Sequence, residues 1–178
     1  MNEPVPLISA ERIAERVQAL GAQIARDYAG DDLTIVPVLA GSFVFAADLV
    51  RAIDLPLSVD FLGVRSYGDS TSTSGIVRFT HDLTRSIDGK RVLLVEDIVD
   101  TGLTVRFLMD TLRTRSPRSL QLAALLHKPS RSRVNVPIDY LGFTIEDVFV
   151  VGYGLDAGQL YRNLPYIGYV PIDESLPR

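Results

Sequence analysis

The sequence predicts an α/β fold, a doubly wound and mainly parallel sheet flanked by helices. Three observations carry this. Apolar runs at Leu33–Leu39, Val92–Val95 and Leu120–Leu126 lack polar alternation, as strands buried on both faces require. Segments with apolar residues at helical spacing lie between them. Small, polar or acidic residues follow the runs, and such sheets bind ligands beyond the carboxyl ends of their strands.

Taken in order, Ser9 caps a helix whose apolar stripe is Ile13, Val17, Leu20 and Ile24, and Gly30-Asp31-Asp32 closes it. Leu33–Leu39 is a buried strand, and Ala40-Gly41-Ser42 turns it into a helix carrying Phe43, Ala46, Ala47 and Val50. Leu57–Val64 is the next strand. Ser66–Gly75 mixes Ser, Thr, Gly, Tyr and Asp without apolar periodicity and reads as a mobile loop, with Ile76–Phe79 as the strand beyond it. Val92–Val95 is followed by acids and then by a helix with Val105, Leu108, Met109 and Leu112 facing inward. Leu120–Leu126 and Phe149–Val151 repeat the strand pattern. Neither an internal repeat nor a linker is visible, so one domain is expected over residues 1–178.

Composition narrows the classes of function. With 47% hydrophobic and 22% charged residues, the chain is globular and not disordered. No apolar run nears the roughly 18 residues a membrane span needs, and Met1-Asn2-Glu3-Pro4 lacks the pattern of a secretory signal. Cysteine is absent, which excludes disulfides and thiolate metal sites and fits a cytoplasmic setting. A net charge of −4 gives no push towards nucleic acid. Arg113, Arg115, Arg118, Arg131 and Arg133 gather locally and read as a solvated face.

The most informative stretch runs from Val92 through Glu96-Asp97-Ile98-Val99-Asp100-Thr101-Gly102-Leu103-Thr104. A dry strand delivers two adjacent carboxylates to its end, where desolvation is costly without a partner. Three acids within five residues repel one another unless a cation or a polyhydroxylated ligand joins them. Asp100 to Thr104 then opens a helix with small and hydroxyl-bearing residues, whose free N–H groups and positive dipole end suit a phosphate. Acids at one end and an anion nest at the other suit a sugar with vicinal hydroxyls and a phosphate, such as ribose 5-phosphate.

This segment resembles the phosphoribosyl-pyrophosphate motif of the type I phosphoribosyltransferases, and Asp100 resembles the hypoxanthine and hypoxanthine-guanine branch in particular. The resemblance spans about Val36 to Tyr169. It implies that fold, with a small hood and a flexible lid loop, and transfer of the phosphoribosyl group to N9 of a 6-oxopurine in purine salvage. Glu96 and Asp97 would bind the ribose hydroxyls, directly or through Mg2+, with Asp156 in a second magnesium region. Residues Asp100, Thr101, Gly102, Leu103 and Thr104 would hold the 5-phosphate, and Asp100 would handle the proton on purine N7.

Further roles follow from the same resemblance. Ala40, Gly41, Ser42 and Arg162 would grip pyrophosphate, although many members carry Lys or Arg where this chain has Ala40. Ser66 and Tyr67 would begin the lid. Ile98, Leu155 and Asp156 would touch the base, Lys128 would donate to its O6, Phe149 would stack on it, and the main chain at Val150 would read its edge. Taken alone, Lys128 is a lone exposed lysine where a strand ends at Pro129, and His127 is structural. The implied partners are phosphoribosyl pyrophosphate and an oxopurine, with no nucleic acid and no membrane, in a homodimer or homotetramer. The rivals fit less well. A uracil-type enzyme doubling as an RNA-binding regulator sits poorly with Asp100 and Lys128, and a non-catalytic regulator sensing purine or phosphoribosyl pyrophosphate lacks an added DNA-binding segment and basic charge. A dinucleotide enzyme would need a G-x-G-x-x-G after a strand, which is missing.

Overall fold

A computed structural model describes residues 3–67 and 76–170, with side chains from 3–64 and 78–170. The elements are β1 (Val5–Ile8), α1 (Ala10–Asp27), β2 (Leu33–Leu39), α2 (Phe43–Ala52), β3 (Leu57–Val59), β4 (Leu62–Tyr67), β5 (Ile76–His81), β6 (Arg91–Val99), α3 (Leu103–Arg113), β7 (Ser119–His127), β8 (Tyr140–Thr144), β9 (Val150–Val151) and β10 (Ile167–Tyr169). The main sheet has the order β5-β4-β2-β6-β7-β8, with β3 also paired to β2. Every pairing in it is parallel except β4 with β5. The strand order reverses around β2 and β6, so their carboxyl ends face the crevice where such sheets bind ligands.

Successive side chains of a strand point to opposite faces, and here both faces are covered. Ile35, Leu93, Val95, Ala123 and Leu125 pack with Ile13, Val17, Leu20 and Ile24 of α1. Val36, Val92, Leu94, Leu122 and Ala124 pack on the other side with Val105, Leu108, Met109 and Leu112 of α3. This is why the central strands read as unbroken apolar runs. Each fully buried Leu or Ile contributes about 1.5–3 kcal/mol of transfer free energy. Ser9 caps α1, its hydroxyl accepting from the N–H of Arg12 at 3.4 Å.

Several expectations need correction. The strand read as Leu57–Val64 is two strands, because the buried Asp60 interrupts it. Its carboxylate accepts the N–H groups of Phe61, Thr84 and Arg85 at 2.8–3.0 Å, anchoring the loop before β6 instead of continuing the ladder. Helix α2 buries Phe45, Ala46 and Leu49, while Phe43 stays exposed. Ser66 and Tyr67 belong to β4, whose backbone pairs them with Val77 and Ile76. An antiparallel partner satisfies their backbone groups whatever the polarity of the side chains. The rest of the predicted loop, residues 68–75, lies outside the described residues. Strand β6 continues past Glu96 and Asp97 to Val99. Phe149 is not in a strand, and Val150–Val151 joins β1 and β10 in a separate antiparallel sheet, not the main one.

Candidate active site

At the carboxyl ends of β2 and β6 lies a cavity of about 420 Å³. The turn after β2 contributes Leu39, Ala40 and Gly41, and β6 contributes Glu96, Asp97 and Ile98. Asp100, Thr101, Gly102 and Thr104 come from the turn into α3, and Asp156 and Arg162 reach in from the segment between β9 and β10. Ten of the residues named from the sequence for sugar, phosphate, pyrophosphate and metal are thus gathered in one space.

The turn after β2 contains a cis peptide between Leu39 and Ala40. Ser42 does not line the cavity; it is buried and its hydroxyl donates to the carbonyl of Val38 at 2.7 Å, closing the turn from beneath. Arg162 is held in place, pairing with Asp156 at 2.7 Å and donating to the carbonyl of Gly154 at 2.6 Å. Gly154 packs its backbone directly on this turn, where a Cβ would meet the carbonyl oxygen of Gly41 at 2.2 Å.

The acids on β6 are electrostatically unusual. Burial pushes the Glu96 carboxyl well above its ordinary range, and the neighbouring Asp97 charge adds to this. Burial likewise pushes Asp97 up to about 6, opposed by the N–H groups of Ile98 and of Asp97 itself and by the Arg162 charge. Two crowded, oxygen-only donors whose charge is poorly compensated suit a hard dication. Among the described residues, no three acid or imidazole side chains converge into a ready-made metal cage, so Glu96, Asp97 and Asp156 do not form one set. That pattern suits Mg2+, which keeps several waters and takes few protein carboxylates.

Gly102 precedes α3 with φ at +79°, and a Cβ there would meet the carbonyl of Val134 at 2.8 Å, so glycine is required. The first N–H groups of a helix have no intrahelical acceptor, and those of α3 begin beside the cavity with Thr104 lining it. Leu103 is exposed and does not line it.

Of the residues expected around the base, Ile98 and Asp156 line this cavity, whereas Lys128, Phe149, Val150 and Leu155 do not. Phe149 is 57% exposed. Val150 and Leu155 are buried. Lys128 is not the exposed lysine the sequence suggested. It is 6% exposed, with its ammonium 3.7 Å from Asp147. His127 lies with its Nε2 3.3 Å from the Ser132 hydroxyl.

Arg113, Arg118, Arg131 and Arg133 are exposed and Arg115 is partly so, yet four of the five are paired. Arg113 pairs with Asp110, Arg115 with Asp82 and Arg118 with Asp31, whereas Arg131 turns to the site and pairs with Asp100 at 3.0 Å and Asp147 at 3.6 Å. Sequence reasoning missed Arg131 and Asp147. The available signal was Arg131 lying three residues beyond Lys128 in a turn opened by Pro129, and Asp147 lying two residues before Phe149.

Fold and cavity together define an α/β protein whose ligand site, at the ends of parallel strands, sets buried carboxylates beside the opening of a helix. A family model described as the phosphoribosyl transferase domain matches residues 8–157, and the chain belongs to the phosphoribosyltransferase family. It is 49% identical to the hypoxanthine-guanine phosphoribosyltransferase of Dictyostelium discoideum, over 91% of this chain and 92% of that protein. It is 48% identical to the hypoxanthine phosphoribosyltransferase of Haemophilus influenzae, over 94% and 96%. A crystal structure of a hypoxanthine-guanine phosphoribosyltransferase from Bacillus anthracis superposes with a TM-score of 0.91 at 44% identity, covering 96% of this chain and all of that one. Among the described residues, no helix is long and apolar enough to cross a membrane.

Proposed function

We propose that this chain is a purine-salvage enzyme, one phosphoribosyltransferase domain that transfers the phosphoribosyl group of phosphoribosyl pyrophosphate to N9 of hypoxanthine, and of guanine, releasing pyrophosphate. One observation carries the reading: Glu96 and Asp97 at the end of a buried strand share a cavity with the glycine-opened turn Asp100–Thr104. The names of its relatives support the same activity and do not favour the uracil-type reading or a non-catalytic regulator.

The transition state of such a transfer resembles an oxocarbenium ion, so the protein must align the reactants and offset the charge of the leaving group. Glu96 and Asp97 hold the ribose diol, and the Asp100–Thr104 turn holds the 5-phosphate. The turn at Ala40-Gly41 offers backbone N–H groups to pyrophosphate, and Arg162 supplies the positive charge that Ala40 lacks. Lys128 donates to the purine O6, Phe149 stacks on the ring, and Ile98 and Leu155 flank it. Asp100 takes the N7 proton as N9 attacks C1 and returns it in the reverse direction. Glu96 and Asp97, with Asp156 nearby, would hold Mg2+, which would supply neutralisation of the leaving group's charge. The enzyme works in the cytoplasm as a homodimer or homotetramer, without nucleic-acid partners.

The test is incubation with phosphoribosyl pyrophosphate, magnesium and, separately, hypoxanthine, guanine, xanthine, adenine and uracil, with nucleotide formation followed in each. Product from hypoxanthine that disappears on chelation supports the reading. Absence of product from every 6-oxopurine overturns it.

A further inference from the structure

We propose that Arg131 is a positioning residue for Asp100, and that the segment Lys128–Arg133 is a clamp that sets the proton-transfer carboxylate at its working place. The inference rests on the reading of Asp100 and Lys128 given above and adds to it a pair of residues with no assigned role.

The geometry is specific to Asp100. The N–H of Lys128 donates to the carbonyl of Val99 at 3.0 Å, and the N–H of Arg133 donates to the carbonyl of Thr101 at 3.0 Å. The backbone is therefore fastened by one segment on each side of Asp100. Between these two ties the chain makes a single 3₁₀ turn, Pro129–Arg131, with the N–H of Arg131 donating to the carbonyl of Lys128 at 3.1 Å. That turn brings the Arg131 Nε to 3.0 Å from Asp100 Oδ1. The backbone thus holds the position of Asp100 while the guanidinium holds the orientation of its carboxylate.

Asp147 completes the arrangement. One of its oxygens lies 3.7 Å from the Lys128 ammonium and the other 3.6 Å from Arg131. Positive and negative groups alternate in the order Lys128, Asp147, Arg131, Asp100, so each cation has an anion beside it. A buried lysine needs such a partner, because an uncompensated buried charge is strongly unfavourable. The same chain links the group proposed to read O6 with the group proposed to serve N7, two atoms that lie next to each other on a purine.

A carboxylate free to turn spends part of its time aimed away from N7, and small misplacements of a reacting group cost rate heavily. Arg131→Met keeps much of the stem and removes the donors. It is expected to lower kcat with hypoxanthine by about tenfold or more, with KM for phosphoribosyl pyrophosphate unchanged. Arg131→Lys, which keeps a charge but not the planar fork, recovers part of that loss.

The decisive measurement is the double variant. In an Asp100→Asn background, Arg131→Met has no carboxylate left to orient and should cost nothing further. A purely structural Arg131 would impose the same loss in both backgrounds, which would overturn the proposal. Turnover of Arg131→Met equal to that of the wild type, with Asp100→Asn impaired, overturns the positioning role alone and leaves the enzyme reading intact. A wild-type protein that makes no nucleotide from any 6-oxopurine overturns both.

Discussion

The α-carbon of Gly41 faces the carboxylate of Asp97 so closely that a Cβ built there would meet Oδ2 at 1.6 Å. Asp97 cannot withdraw freely, because its Oδ1 accepts the N–H of Ile98 at 2.8 Å. From the other side, Gly154 packs against the carbonyl of Gly41. The backbone of Gly41 is therefore held between the Asp97 carboxylate and the backbone of Gly154.

A methyl group at Gly41 should consequently act on catalysis before it acts on folding. Gly41→Ala is expected to lower kcat/KM for phosphoribosyl pyrophosphate by about 10²-fold, the scale of a 1 Å displacement in an aligned site. The circular dichroism spectrum should stay that of the wild type. Unchanged kinetics would mean that the Asp97 carboxylate moves without consequence.

Asp100 is expected to carry the acid–base step. Asp100→Asn preserves the shape and most of the hydrogen bonding but cannot take a proton, so turnover should fall by roughly 10²- to 10⁴-fold. Steady-state kinetics in both directions would measure it. A variant with nearly wild-type turnover would remove Asp100 from the chemistry.

Lys128 is the proposed selector for the oxygen at purine C6. Lys128→Met fills the buried stem's space without the ammonium. A hydrogen bond to a charged group contributes about 1.5–3 kcal/mol, so kcat/KM for hypoxanthine should fall by roughly ten- to a hundredfold. Adenine, which has no O6, provides the control. If its weak background reaction fell by the same factor, Lys128 would have no part in reading O6.

Asp60 gives a prediction on stability and pH. Burial raises its carboxyl, but the N–H groups of Phe61, Thr84 and Arg85 and the Thr84 hydroxyl outweigh burial and leave it below its ordinary value. A depressed carboxylate stabilises the fold above its unfolded-state value and loses that contribution as pH falls through the lowered one. Asp60→Asn should therefore be less stable than the wild type at pH 7, by about 1–3 kcal/mol. The difference should narrow as pH drops below roughly 4. Urea midpoints across that range would reveal it, and a gap that widened in acid would contradict the assignment.

Both the sheet and the acidic site were legible from short stretches of chain. Strands such as Val92–Val95 announce themselves because helices on both sides make every residue apolar. The smaller sheet was harder to read. The separate sheet of β1, β9 and β10 uses strands of four, two and three residues, too short for a periodicity to develop. Asp60 lies within the single strand that the sequence predicts over Leu57–Val64, and its role as an anchor depends on Thr84 and Arg85, which lie 24 and 25 residues away.

The sequence by itself determined the layered α/β architecture, the covering helices and the concentration of acids and small hydroxyl-bearing residues at 96–104, since each of these is written in consecutive residues as burial, helical spacing or local charge. Only the tertiary structure decided which distant groups meet there: Gly41 against Asp97, Gly154 against Gly41, and the exposed Arg131 on Asp100. The physical reason is range. Periodicity and capping act between neighbours along the chain, whereas steric exclusion and ion pairing act across whatever space folding closes.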